Sequence, residues 1–282
     1  MADIVVNGVR LSYHEWPGSG PTLLCIHGIS ANCRAWDCWA EHLAPTYRVI
    51  ALDLRGRGGS DKPPAYPVEV HRDLGCYPRD LDAVIDALGL EAIHFLGHSL
   101  GAMIGVVFAA TYPQRVRKLI LVDGGHDLRP DVTAAIRPAL DRLGVTFASV
   151  KDYLARMQAL PFFSGTWNRY LDCYFRYDVE SRPDGSVRSR VSTAPVETDA
   201  ATWLSLSLTS YYRQITAPTL ILQAPEGLLT DSDCILSREE GEQLAAAITD
   251  ARLVTVAGVN HYTILFAHNP EVIDEVQRFL AA

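Results

Sequence analysis

The sequence predicts an α/β fold: a mostly parallel sheet with helices on both faces, and a helical cap inserted into it. Three observations predict this. Short apolar runs of strand length alternate with helical periodicity over the first 127 residues. From about Leu128 to Tyr212 the chain becomes helix-like and aromatic-rich, without buried-strand runs. Strand runs then resume and lead to a closing amphipathic helix. The expected organisation is a core of residues 1–127 and 213–282, with the cap, residues 128–212, inserted after the sixth strand.

Each element has its own signal. "DIVVNGVRLSYHEW" alternates apolar and polar residues on both sides of Asn7-Gly8, which predicts a hairpin with a type I′ turn. "PTLLCIHG" is an apolar run ending at Gly28, and "YRVIALDLRG" is a second, leading into "RGRGGSDKPP". Neither run alternates, so both read as strands buried on two faces. "DLDAVIDALGL" has helical spacing. "AIHFLGHS" reads as a strand, and "LGAMIGVVFAATYP" as a helix of small and apolar residues that stops before Pro113. "VRKLILVDGG", "APTLILQAP" and "ARLVTVAG" are further strands, and "NPEVIDEVQRFL" is the last helix.

Composition bounds the function. The 282 residues carry a net charge of −8, with 48% hydrophobic and 21% charged residues. No Lys/Arg-rich run is present, which argues against nucleic-acid and anionic-membrane partners. No signal-peptide pattern and no span-length apolar run occurs. Cys25, Cys33, Cys38, Cys76, Cys173 and Cys234 form no C-x-x-C pair, so the thiols read as reduced and the protein as cytoplasmic. No phosphate-binding glycine pattern follows a strand, and no metal or organic cofactor is expected.

The residue that raises chemistry is Ser99, in "FLGHSLGAM". A G-x-S-x-G pattern alone is weak. Here a strand runs in and a small-residue helix runs out, the context of a strained strand-turn-helix elbow. Gly97 and Gly101 then allow strand and helix to approach closely, and the helix N-terminus faces the reacting carbon's oxygen.

"GHSLG", "IHG" at 26–28, "LDLRGRGGSDKP" at 52–63 and "VNHYTIL" at 259–265 resemble the α/β-hydrolase superfamily, in its serine esterase and lactonase-like, capped form. The resemblance covers nearly the whole core. It implies Ser99 as nucleophile and His261, in the loop after the last strand, as base. His27 is implied to shape a loop, His98 to point away across the elbow, and His126 and His268 to be pocket or surface residues. The usual place for the triad acid falls on Gly227, so three candidates stand: Asp123 at the end of "LILVD", which is favoured, and Glu226 and Asp231. The oxyanion donors are implied to be the backbone N–H groups of Ile29 and Leu100. Among the aromatics, Trp36, Trp167, Tyr170 and Trp203 are expected at the substrate pocket.

The function expected from the resemblance is serine hydrolysis of a small to medium apolar carboxylic ester or lactone through an acyl-enzyme. Carbon–carbon bond hydrolysis of a diketone or ring-fission product would use the same triad. A non-catalytic small-molecule receptor is the alternative of a different class. The expected partner is a small molecule, and a homodimer is left open.

Overall fold

The structure, a computed structural model, describes residues 1–63 and 76–282; the end of the Gly- and Pro-rich loop, from Pro64, lies outside the described residues. Eight strands form the main sheet: β1 (Ala2–Val6), β2 (Val9–Trp16), β3 (Thr22–Ile26), β4 (Arg48–Leu52), β5 (Ile93–His98), β6 (Val116–Val122), β10 (Thr219–Gln223) and β11 (Ala251–Thr255). Their order is β1-β2-β4-β3-β5-β6-β10-β11. The β1–β2 and β2–β4 pairs are antiparallel, and all pairs from β4 to β11 are parallel.

Burial follows position in the sheet. Every residue of β3, β5 and β10 is buried, as the unbroken apolar runs require, while edge strand β11 has no buried residue. The Asn7-Gly8 turn has φ of 50° and 74°, the left-handed pair that a type I′ turn demands. The core helices are α1 (Asp37–Leu43), α2 (Cys76–Ala87), α3 (Leu100–Thr111), α9 (Arg238–Ala247), α10 (Thr263–Phe266) and α11 (Pro270–Ala281), and helices cover both sides of the sheet. Helix α3 is buried along almost its whole length, packed on β5 and β6, because its small residues let it lie close to the sheet. No helix among the described residues is long and apolar enough to cross a membrane.

Between β6 and β10 lie α4 (Pro130–Leu140), α5 (Val150–Gln158), α6 (Arg169–Asp178), α7 (Thr193–Ser205) and α8 (Thr209–Tyr212). This stretch also contains strands, against the sequence expectation. β7 (Thr146–Phe147), β8 (Val179–Ser181) and β9 (Val187–Ser189) make a small antiparallel sheet in the order β7-β9-β8. Strands of two or three residues are too short to show alternation. Their signal was the turn between them: Arg182 N–H donates to Ser186 O at 2.8 Å, and Gly185 of Pro183-Asp184-Gly185 has φ 83°.

Candidate active site

Ser99 sits between β5 and α3 with φ 55° and ψ −115°. That conformation is costly for a residue with a Cβ, and its surroundings enforce it. A Cβ on Gly97 would lie 2.2 Å from Gly101 O, and one on Gly101 would lie 2.1 Å from Ile26 O. Strand and helix therefore meet as bare backbone at these two positions. Ser99 N–H donates to Val122 O at 3.1 Å, which ties the turn to β6.

Asp123 follows β6 directly and is fully buried. It too has a left-handed φ, 45°; among the described non-glycine residues only Asn7 and Ser99 share this. Its Oδ1 accepts from Ala224 N–H at 2.9 Å, and its Oδ2 lies 2.7 Å from His261 Nδ1. Gly124 makes this approach possible, since a Cβ there would lie 2.9 Å from Ser99 O and 3.0 Å from Ser99 Cα.

His261 lies in the loop after β11. Asn260 shapes that loop: its Oδ1 accepts from the Tyr262 and Thr263 N–H groups at 3.0 Å each, and its Nδ2 donates to Phe162 O at 3.1 Å. Burial pushes the His261 imidazole down to about 3, so the ring is neutral at pH 7. Burial raises the Asp123 carboxyl, while the Ala224 N–H opposes that rise. The hydrogen-bond network assigns the imidazole proton to Nδ1, facing Asp123, and leaves Nε2 with a lone pair.

His98 does not point away from this centre. Its ring centroid is 4.4 Å from that of His261, and its Nε2 lies 2.9 Å from His261 O. The elbow turns only at Ser99, so the side chain before it still projects to the side where the His261 loop returns. His126 is buried in a neighbouring cleft with Asp127, Tyr212, Arg213 and Glu240, and His268 is exposed, stacked on His42 at 4.5 Å.

The loop after β3 comes up beside Ser99. Gly28 O accepts from Ala31 N–H at 3.1 Å and lies 2.7 Å from His27 Nδ1. Leu54 N–H donates to His27 Nε2 at 3.0 Å, which leaves the ring proton on Nδ1. With Gly28 C=O held toward His27, the planar trans peptide turns the Ile29 N–H to the opposite side. The Leu100 N–H opens α3, where the first N–H groups have no partner within the helix.

Gly28, Ile29, Ser99, His98 and His261 share one narrow cavity of about 50 Å³. Its far wall comes from the inserted segment: Leu140, Met157, Leu160, Phe163, Tyr174 and Phe175 are among its residues. Arg142 is also on this wall, paired with the buried Asp178 at 3.1 Å.

The sequence profile described as alpha/beta hydrolase fold matches residues 21–267. The chain belongs to this family. Like the family it is a hydrolase. It is 28% identical over 260 residues to a 2-(acetamidomethylene)succinate hydrolase of Mesorhizobium japonicum, covering 91% of this chain and 87% of that one. It is 28% identical over 276 residues to a 3-hydroxybutyrate-oligomer hydrolase of Cupriavidus necator, covering 89% and 87% of the two chains. The crystal structure of an E-2-(acetamidomethylene)succinate hydrolase superposes with a TM-score of 0.82 at 24% identity, over 100% of this chain and 98% of that one.

Within this α/β-hydrolase the Glu226 backbone runs beside the histidine loop, its N–H donating to Val259 O at 3.2 Å, but the side chains of both other acid candidates face solvent. Glu226 and Asp231 are both exposed. Gly227, the usual acid position, has no room for a side chain: a Cβ would lie 1.8 Å from Thr230 O and 2.4 Å from Asp233 Oδ1. Asp233 instead gathers the Leu228, Leu229 and Thr230 N–H groups into a tight turn.

None of the four aromatics expected at the pocket lines the cavity. Trp36 is buried edge-on against Trp39 at 5.8 Å, and Trp203 is buried on α7. Trp167 lies flat against Phe175 at 5.4 Å, one layer behind the wall. Tyr170 is buried away from the cavity, its hydroxyl donating to Glu41 at 2.8 Å. Side-chain size marked these residues, but the face of each helix that meets the core decides which side chains reach the cavity. The lining aromatics include Phe163, Tyr174, Phe175 and Tyr262. Tyr262 had a signal, since it follows His261 directly.

Proposed function

We propose that the protein is a serine hydrolase that cleaves a small to medium apolar carboxylic ester or lactone through an acyl-enzyme. The observation that carries this reading is the 2.7 Å Asp123–His261 contact on the wall that holds the strained Ser99. Asp123 keeps the imidazole proton on Nδ1, and His261 Nε2 takes the Ser99 proton as Oγ attacks the carbonyl carbon. The Ile29 and Leu100 N–H groups receive the oxyanion. His261 then protonates the leaving alkoxide. Water, deprotonated by the same nitrogen, attacks the acyl carbon and frees Ser99.

Two features support an apolar, uncharged acyl group. The part of the lining that the inserted segment supplies is mostly apolar, with Leu140, Met157, Leu160, Phe163 and Phe175 among its residues. Arg142, the cation among the described lining residues, is neutralised by Asp178. A substrate carboxylate placed there would have to compete with that buried partner.

The test is turnover of p-nitrophenyl acetate and butyrate beside a Ser99→Ala variant, with labelling by a fluorophosphonate. Turnover and a covalent adduct, both lost in the variant, are expected. Absence of both in the parent overturns the reading. A vinylogous diketone run in parallel decides between ester and carbon–carbon cleavage: turnover of the diketone alone replaces the ester assignment.

A further inference from the structure

Two buried arginines grip consecutive carbonyls of the loop that carries Ile29. Arg57 Nε donates to Ile29 O at 2.9 Å, and Arg142 Nη2 donates to Ser30 O at 2.5 Å. Arg142 Nη1 also reaches Ala139 O, and Ser30 Oγ at 3.4 Å. With Gly28 O held by His27 and Ala31, three successive carbonyls of the loop have donors. Turning any one peptide of the loop over would break one of these bonds.

Each arginine is held in the same way. Arg57 pairs with Asp199 and Arg142 with Asp178, and both carboxylates are fully buried. Each carboxylate also accepts from a buried tyrosine hydroxyl: Tyr77 donates to Asp199 at 2.7 Å, and Tyr153 donates to Asp178. Tyr77 in turn accepts from Arg57 Nη1 at 2.9 Å. Asp178 ends α6 and Asp199 lies in α7, so both carboxylates belong to the inserted segment, whereas Ile29 and Ser30 belong to the core.

Stability is a weak reason for two such arrangements. A buried ion pair repays its desolvation poorly, and an apolar pair of similar volume is often as stable. Planar guanidinium groups, however, present several donors in fixed directions and so hold a carboxylate and a backbone carbonyl together. We infer that Arg57–Asp199–Tyr77 and Arg142–Asp178–Tyr153 are positioning clamps through which the seated inserted segment holds the Ile29 N–H where the oxyanion forms. This rests on the serine-hydrolase reading for its chemistry. The substrate wall and the oxyanion loop thereby become one unit, and displacing the wall unbuilds the hole.

The experiment compares Arg57→Lys, Arg142→Lys and the double variant Arg142→Met/Asp178→Leu with the parent. A lysine keeps the charge but lacks the planar fork that fixes the directions of the bonds to carboxylate and carbonyl. The double variant removes both charges and keeps the volume, so that the fold survives. For each, kcat on p-nitrophenyl butyrate is expected to fall by about 10- to 100-fold with KM within about threefold, because an oxyanion donor acts in the transition state. The dissociation constant of phenylboronic acid, which forms a tetrahedral adduct on a serine, is expected to rise by a matching factor. Amide hydrogen exchange in a peptide spanning residues 27–33 is expected to accelerate while that of β10 stays at the parent rate.

Unchanged exchange over 27–33 in the double variant overturns the clamp, whatever the kinetics. So does a kcat within about threefold of the parent in all three variants, by the same transition-state argument. A parent that neither turns over the ester nor binds the boronic acid overturns the hydrolase reading instead, and the exchange measurement still decides the clamp.

Discussion

Asp123 and His261, 138 residues apart in the chain, meet at 2.7 Å. Strand β10 pairs in parallel with β6 on one side and with β11 on the other, so the loops that leave β6 and β11 emerge at the same end of the sheet. The contact depends on Asp123 adopting φ 45° and on the absence of a side chain at Gly124. In Asp123→Asn, an amide faces Nδ1 and favours the wrong imidazole tautomer. Its kcat is expected to fall by about 10³- to 10⁴-fold on p-nitrophenyl butyrate. Glu226→Gln alters an exposed residue and is expected to stay within about twofold, as surface changes usually do. The reverse ranking in steady-state assays would move the acid to the β10 loop.

Gly97 bears a close approach of strand and helix at the elbow, with Gly101 O 2.2 Å from where a Cβ would stand. The obstructing atom is backbone, so it cannot rotate aside. Gly97→Ala is expected to lose about 3 kcal/mol, the upper end for overpacking, read as a lower urea midpoint at unchanged slope. A stability equal to the parent's would mean that α3 sits farther from β5.

On the ester-hydrolase reading, the wall residues set the acyl length. Met157→Ala or Leu160→Ala enlarges the cavity and is expected to shift kcat/KM toward octanoate over acetate esters by about tenfold. Trp203→Phe, away from the cavity, is expected to leave that ratio at the parent value. If Trp203→Phe moved the ratio as much as Met157→Ala, the pocket would extend under α7.

Acid acts on both stability and activity through the histidines. Burial lowers His27 and His94 to about 4, and lowers His98 and His126 as well. The unfolded chain, with histidines near 6.5, then binds more protons than the folded one between pH 6.5 and about 4. Stability is therefore full above pH 6.5 and declines as pH falls through that window. Asp123 and Asp37, raised by burial to about 7 and about 6, act in the opposite sense but are outnumbered. Melting temperature is expected to be level from pH 8 to 7 and to drop steadily toward pH 4. The acid limb of kcat/KM is expected below 6.5, because His261 is itself held down. A limb near 7 would instead report protonation of Asp123, whose carboxyl burial raises to about 7.

Much of the fold was legible in local signals. Unbroken apolar runs marked the central strands, Asn7-Gly8 marked the hairpin, and Gly97 and Gly101 around Ser99 marked the elbow. The carboxylate that meets His261 was legible only as a choice among three. Asp123, Glu226 and Asp231 each follow a strand of the right kind, and sequence spacing says nothing about which loop is closed by a tight turn. The short strands β7 to β9 escaped because two or three residues carry no period.

The sequence by itself determined the α/β core, the strained serine and the histidine that follows the last strand, because each depends on neighbours a few residues away. The tertiary structure decided the rest. Which carboxylate meets His261, which aromatics form the wall, and how Arg57 and Arg142 come to bond the Ile29 and Ser30 carbonyls all depend on contacts between distant segments. Such contacts are set by how helices and loops pack over the sheet, and no local period or motif records that packing.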